Sequence, residues 1–383
     1  MDRIIEQLME FRSPEKGRRD FLKSTVTGIA AAGALLTASP GESKPAPART
    51  REEKLKRIAS NCWSVRHLFK QRSFAPPGQM SEEQKKRRMQ YEQEREQWKK
   101  KYGELTLLDF PQFTKDTYPG VTKMDLFSGF FGDLGDDSQF AVREFGGQKR
   151  PGEFDPSQVS SKRHLDKLAD RIVKTGVYAK HISNNAPRNI ADLDDQRRKE
   201  GVQVGKNWLD GAKQIGVLSM RVNTGGPQII PAAEIDPQLG YPGNTKIVPY
   251  LKNAIESFKE LAEHGEKVGV KVTIENHWGL AADPMNIRII INEVRNPYCE
   301  ASPDFCNFEH EYLLYHGLEV LAPLSSSMVH AKRWTRFPNV DIARCVRIFN
   351  DANYRGYFSV EYEEQDDGVQ GSLRIMEEVL AAL

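Results

Sequence analysis

Four short apolar runs between Lys271 and Glu364 each carry one residue able to ligate a metal. VTIEN carries Glu275, EASPD ends at Asp304, SSMVH ends at His330 and FSVEY carries Glu361. Successive ligands lie 29, 26 and 31 residues apart. A (β/α)8 barrel of about 250 residues allots roughly 31 residues to each strand-plus-helix unit. The spacing therefore predicts one polar group at the carboxyl end of each of four consecutive strands, the end where such barrels place their active sites. Strand parity agrees. Thr273 and Glu275 share one face and Val272 and Ile274 the other; Ser359 and Glu361 share a face opposite Phe358 and Val360. A single Asp, Glu or His near a strand end is as readily a solvated loop residue as a ligand. Four in register constrain the chain far more.

The rest of the chain alternates strand and helix signals, which argues for a parallel α/β fold. Strands are expected at 57–62, 121–127, 177–183 and 218–223. Ser160 or Ser161 is expected to cap a helix carrying Leu165, Leu168, Ile172 and Val173, which Gly176 ends. Trp208, Leu209, Ala212 and Ile215 mark the next helix. Val248, Leu251, Ile255 and Phe258 mark another, with Gly265 at its end. Asp283 and Pro284 read as N-cap and first turn of a helix over 284–294. Two more helices carry Ile342, Val346 and Phe349, and Leu373, Met376, Leu380 and Leu383. The highly charged stretch Ser81–Tyr102, with a capping box at Ser81 and Gln84, reads as a solvent-exposed helix in an insertion at about 72–104.

With 383 residues, 39% hydrophobic, the chain is long enough for one large barrel. A net charge of +2 with eight His argues against a nucleic-acid partner, including an apurinic endonuclease built on a histidine-rich zinc cluster. The four Cys form no CxxC, so a thiolate zinc site is not expected. A bridge between Cys299 and Cys306 is left open by the sequence.

Residues 17–38, GRRDFLKSTVTGIAAAGALLTA, place Arg18 and Arg19 before Phe21-Leu22-Lys23 and a mild Ala/Gly-rich run. This pattern reads as a twin-arginine export signal. The run Ser24–Ala38 is short for a membrane span, which needs about 20 apolar residues. Residues 1–48 are accordingly expected to be signal peptide and linker, with cleavage after Ala38 or Ala48, and 49–383 the folded barrel. The twin-arginine translocase would be a partner and the periplasm the destination. A homo-oligomer is compatible with the sequence.

Taken in order, SMRVNTGG after KNWLDGAKQIG, VTIENHWGL, SPDFCNF, VHAK and FSVEYE resemble the sugar phosphate isomerase/epimerase family with the xylose isomerase-like barrel. The likeness covers most of 52–383. It implies a single divalent metal held by Glu275, Asp304, His330 and Glu361, with manganese, magnesium or cobalt ahead of zinc. It also implies that Glu275 and Glu361 act as an acid/base pair, and it puts Arg336 where sugar epimerases carry a substrate-binding arginine. Cys306 stands in place of a family glycine, and Asn307 where several epimerases have a substrate-contacting histidine.

The residues themselves point to compatible chemistry. Three carboxylates and an imidazole favour a hard divalent ion with positions left for substrate. Such an ion chelates a sugar carbonyl and adjacent hydroxyl and stabilises the enediolate formed on C–H deprotonation. Two carboxylates on opposite sides can remove a proton and return one. Lys332 and Arg336 can stabilise negative charge, or can be loop cations. Arg221 and Asn223 can meet substrate hydroxyls or fill the polar barrel end. His277 can orient substrate, support a ligand or be structural. Trp63, Trp278 and Trp334 can stack on a sugar ring or pack in the core. The expected activity is metal-dependent isomerisation or epimerisation of a sugar or sugar-like polyol. The alternatives are a lyase or dehydratase of a keto-sugar or cyclitol on the same site, or a non-catalytic sugar-binding barrel.

Overall fold

The computed structural model describes residues 49–71, 81–145, 148–227 and 244–383. The candidate export signal lies outside them. Ten strands occur among the described residues: β1 Ile58–Asn61, β2 Lys123–Phe127, β3 Phe140–Phe145, β4 Gln148–Phe154, β5 Tyr178–Ser183, β6 Ser219–Arg221, β7 Lys271–Ile274, β8 Cys299–Ala301, β9 Met328–Arg333 and β10 Tyr357–Tyr362. Eight of them form one sheet in the order β8-β7-β6-β5-β2-β1-β10-β9, with every pairing parallel. The ends of this sheet meet through a single parallel bridge between Asp304 and His330. The Phe305 amide donates to the His330 carbonyl (3.1 Å), and the His330 amide to the Pro303 carbonyl (2.9 Å). The barrel thus closes at two of the candidate ligands.

The helices are α1 Arg51–Leu55, α2 Glu82–Tyr102, α3 Phe110–Thr117, α4 Val159–Thr175, α5 Asp195–Gln214, α6 Val248–Val268, α7 Pro284–Val294, α8 Leu313–Leu321, α9 Ile342–Asp351 and α10 Gly368–Ala382. Their apolar faces meet the outward faces of the strands. Val329, Ala331, Phe358 and Val360 pack with Val346 and Phe349 of α9 and Ile375 and Met376 of α10. Met124, Ile182, Met220 and Val272 pack with Leu165, Leu209, Phe258 and Leu261. Caps fix where several helices begin: Asp283 accepts from the Met285 amide, Asp341 from Arg344 and Asp367 from Val369 and Gln370.

Three local expectations need correction, and the open question of a cysteine bridge is answered. Helix α4 starts one residue before Ser160, with Gln158 at its N-cap, and Ser161 instead donates to the Gln139 carbonyl. Gly265 lies inside α6, where a Cβ would come 2.4 Å from the Val270 carbonyl oxygen; Gly269, at φ +79°, ends the helix. Cys299 and Cys306 are both free and buried. Helix α2 is mostly exposed, but its Arg95 is buried and donates to the carbonyls of His67 and Phe69, which docks the helix on the segment after β1. The antiparallel β3–β4 hairpin, set between β2 and α4, has no counterpart in the expectations.

Candidate metal centre

The barrel interior departs from the branched aliphatic filling usual in this fold. Asn61, Asp125, His181, Ser183, Ser219, Arg221, Thr273, Ser302, His330 and Ser359 are all buried. Burying so many polar groups is tolerable only if they bond to one another, and they do. His181 Nδ1 lies 2.8 Å from Ser219 Oγ, and Ser302 Oγ donates to Thr273 Oγ1 at 2.8 Å. Asp125 gathers several donors: Ser359 Oγ at 2.8 Å, Ser183 Oγ at 3.0 Å and Asn61 Nδ2 at 3.3 Å.

His330 sits between two acidic groups. Its Nε2 is 2.9 Å from Asp125 Oδ2, and its Nδ1 is 3.2 Å from Glu275 Oε2. Nδ1 makes no hydrogen bond despite that proximity, and Asp304 Oδ2, also buried, makes none either. Ligand atoms of Glu275, Asp304 and His330 lie within 4.8 Å of one another. Two buried ligand atoms without a hydrogen bond, beside the Glu275 carboxylate and with only Lys332 Nζ at 3.6 Å from Asp304, leave room for a further cation to stabilise them. With Nε2–H donated to Asp125, loss of the Nδ1 proton would give a metal the Nδ1 lone pair. The donor set therefore fits a divalent ion.

The protonation states describe a centre that holds protons in the absence of metal. Burial pushes His330 down, but Glu275 and Asp125 outweigh it and raise its pKa well above the ordinary value. Burial, reinforced by Glu361 and Glu275 and opposed by Lys332, raises Asp304 to about 8. Glu275 is also buried, yet Arg221 and His330 hold it well below the usual carboxylate range.

The structure places the remaining candidates in three groups. Lys332, Asn307 and Arg221 join the centre directly. Lys332 Nζ is 3.6 Å from Asp304 Oδ2, 2.9 Å from Glu361 Oε1 and 3.1 Å from Glu363 Oε2. Asn307 donates to Glu275 Oε1 (2.9 Å) and accepts from Lys332 (3.2 Å); Arg221 Nη1 donates to Glu275 Oε2 (2.7 Å). Glu361 stands one step away, outside the tight cluster, bound by Lys332 and by Asn61 Nδ2 at 3.2 Å. Asn223 donates to the Asn184 carbonyl, and His277 is half-buried beside Trp278, its pKa lowered to about 4 chiefly by burial. Arg336 lies exposed, donating to the Glu309 carbonyl against the Trp334 ring; among the described residues, no hydrogen bond or ion pair ties it to the four ligands.

Sequence reasoning missed Asp125, His181, Asn61, Ser183 and Ser359. The signal available was Asp125 itself, a charged residue in the middle of the predicted strand VTKMDLF. Asp125, His181 and His330 also form a second compact ligand group, in which His181 Nε2 has no hydrogen-bond partner.

A family model described as xylose isomerase-like TIM barrel matches residues 142–379. No curated protein matches the sequence. Among solved structures, the chain is similar in fold to a 3-keto-D-glucoside 4-epimerase from E. coli, at a TM-score of 0.52 and 14% identity, covering 85% of this chain and 98% of that one. It is also similar to an L-ribulose 3-epimerase, at a TM-score of 0.50 and 13% identity, covering 85% and 92%. With a closed parallel barrel and a family match over more than half its length, the chain belongs to the xylose isomerase-like TIM barrel family.

Proposed function

We propose that the protein is a divalent-metal-dependent isomerase or epimerase of a sugar or sugar-like polyol. The observation that carries this reading is the buried cluster of Glu275, Asp304 and His330, with Glu361 one Lys332 contact away. These four residues would hold the ion. Once bound, it would supply Lewis-acid polarisation of a substrate carbonyl, which acidifies the neighbouring C–H. Proton movement would fall to the two glutamates. Glu275 lies at the end of β7 and Glu361 within β10, on different arcs of the rim, so they would reach a substrate carbon from different sides. Lys332, between Asp304 and Glu361, would balance negative charge developing on the substrate oxygen. The two epimerases of similar fold, acting on a keto-glucoside and a ketose, lend support to a keto-sugar or ketose substrate.

The test is to load the purified protein with manganese, magnesium or cobalt and incubate it in D2O with a panel of keto- and aldo-sugars. Deuterium at the carbon next to the carbonyl is expected. Turnover without incorporation would point to a hydride shift and end the proton-transfer reading. Export is a separate part of the proposal, resting on Arg18, Arg19 and the apolar run after them. Replacing both arginines by lysine should keep the protein in the cytoplasm; full delivery to the periplasm would refute twin-arginine export.

A further inference from the structure

A cavity of about 1160 Å³ lies between the segment after β1, the end of β2, the β3–β4 hairpin and α4; the candidate ligands are not on its wall. Pockets that enclose a drug-sized molecule span roughly 300–1,000 Å³, so this space exceeds what one sugar ring needs. Two hydrogen-bonded links join it to the carboxylates. Asn185, on its wall, accepts from Arg221 Nη2 at 2.6 Å, and the other arm of that guanidinium holds Glu275. Trp63, also on the wall, donates its indole N–H to Glu363 at 2.8 Å, and Glu363 pairs with Lys332.

The cavity's chemistry differs from that of the centre. The rings of Trp63, Phe127 and Phe130 form one aromatic cluster, with Trp63 and Phe127 centroids 4.6 Å apart and Trp63 and Phe130 stacked at 6.2 Å. Trp63 and Phe127 are only half-buried. Several polar groups on the wall are engaged within the protein. His164 Nε2 accepts from the Gly132 amide, Gln139 accepts from the Asp133 amide and donates to Asp136, and Ser128 Oγ accepts from the Asn185 amide. The charged side chains on the wall, among them Lys70, Arg163, Lys167 and Arg188, are exposed to solvent, and the aromatic faces beside internally bonded polar groups suit an apolar ring better than a second sugar, which needs many hydrogen-bond partners.

We infer that the cavity is a subsite for an apolar, ring-bearing aglycone, so that the substrate is a glycoside whose sugar meets the carboxylates while its aromatic substituent lies against Trp63 and Phe127. This inference rests on the sugar-isomerase reading for the sugar half alone; the aromatic half stands on the cavity.

The probe is 2-naphthol, an aromatic ring without sugar, titrated into the full metal-loaded protein by calorimetry. Binding is expected, and Leu108→Trp, which fills the cavity from its wall, should weaken it at least about tenfold. Phe127→Ala should weaken it about fivefold, the scale of one lost aromatic contact. Leu108→Trp should leave solvent deuterium exchange of an unsubstituted keto-sugar unchanged. Absence of naphthol binding to the unmodified protein, or equal affinity in both variants, would overturn the inference, including the case in which another segment of the chain fills the space. Deuterium exchange measured on free keto-sugars tests the isomerase reading independently. A protein that exchanges but does not bind naphthol would lose only the aglycone subsite; one that binds naphthol without exchanging would lose only the isomerase reading.

Discussion

The two halves of the barrel do different work. Strands β7 to β10 and the loops that follow them bring Glu275, Asp304, His330 and Glu361, the groups that would hold the metal on the proposed reading. Strands β1, β2, β5 and β6 bring Asn61, Asp125, His181, Ser183, Ser219 and Arg221, which orient those groups. Asp125 on β2 fixes one nitrogen of His330 on β9, and Arg221 on β6 grips Glu275 after β7. Without the other half, the imidazole of His330 would lose the Asp125 contact that fixes its Nε2. The difference teaches that a centre of this kind is built across the barrel: Asn307 and Lys332 support the carboxylates from the ligand half, and Asp125 and Arg221 reach His330 and Glu275 from the other.

Breaking the ligand half should have the largest effect. Glu275→Gln and Glu361→Gln keep shape and a ligating oxygen but lose the basic group, so each should lower turnover by roughly 10²–10⁴-fold. Substrate binding should survive better. Loss of solvent exchange at the substrate C–H identifies which glutamate abstracts the proton. If both variants keep near-normal turnover with metal bound, the pair has no acid/base role.

Breaking the supporting half should act through the metal. Asp125→Asn leaves an acceptor in place but removes the charge that orients and enriches His330. Metal affinity, measured by competition with a chelator, should fall about 10–100-fold with the fold intact by circular dichroism. An unchanged affinity would make Asp125 a packing residue only.

The raised pKa values of His330 and Asp304 sharpen the same comparison. Both are raised in the metal-free protein, Asp304 to about 8, so the centre retains protons that a metal must displace. Groups raised on folding favour the folded state at low pH, and that contribution is lost as pH rises through the folded value. The metal-free protein should therefore lose stability as pH climbs toward 8, while metal binding expels the protons and strengthens. Affinity should rise about tenfold per pH unit for each proton expelled. Calorimetry in buffers of different ionisation enthalpy counts those protons; none released would place the ion elsewhere. The smallest effect belongs to Ser219→Ala, which removes one neutral hydrogen bond from His181. It should cost about 1 kcal/mol in stability by denaturant unfolding and leave metal affinity unchanged.

The candidate ligands were legible in the sequence because each stands out against an apolar run at a regular spacing; Glu361 lies near the end of β10, whereas His330 falls in the middle of β9 rather than at the expected carboxyl end. Asp304 and Glu275 lie just beyond their strands. Most of the supporting residues, Arg221 excepted, were not, for a physical reason. Ser183, Ser219 and Ser359 sit at inward positions of ordinary alternating strands, where a small polar residue usually signals a solvated face. Only closure of the barrel turns those faces inward. The β3–β4 hairpin was hidden similarly: 140–154 alternates weakly, and Gly146 and Gly147 read as loop. Arg336, six residues after His330 where a family pattern expects a substrate contact, donates to the Glu309 carbonyl in this structure.

The most direct test of this account is the position of the ion, because His330 offers one nitrogen to each of two buried ligand groups. Crystals of the manganese-loaded protein, with anomalous scattering recorded at the manganese edge, would locate it. The account predicts one peak among Glu275, Asp304 and the Nδ1 of His330, with Asp125 still bonded to Nε2. A peak between Asp125, His181 and Nε2 of His330 would contradict it, because Asp125 would then be a ligand and the division between the two halves of the barrel would fail.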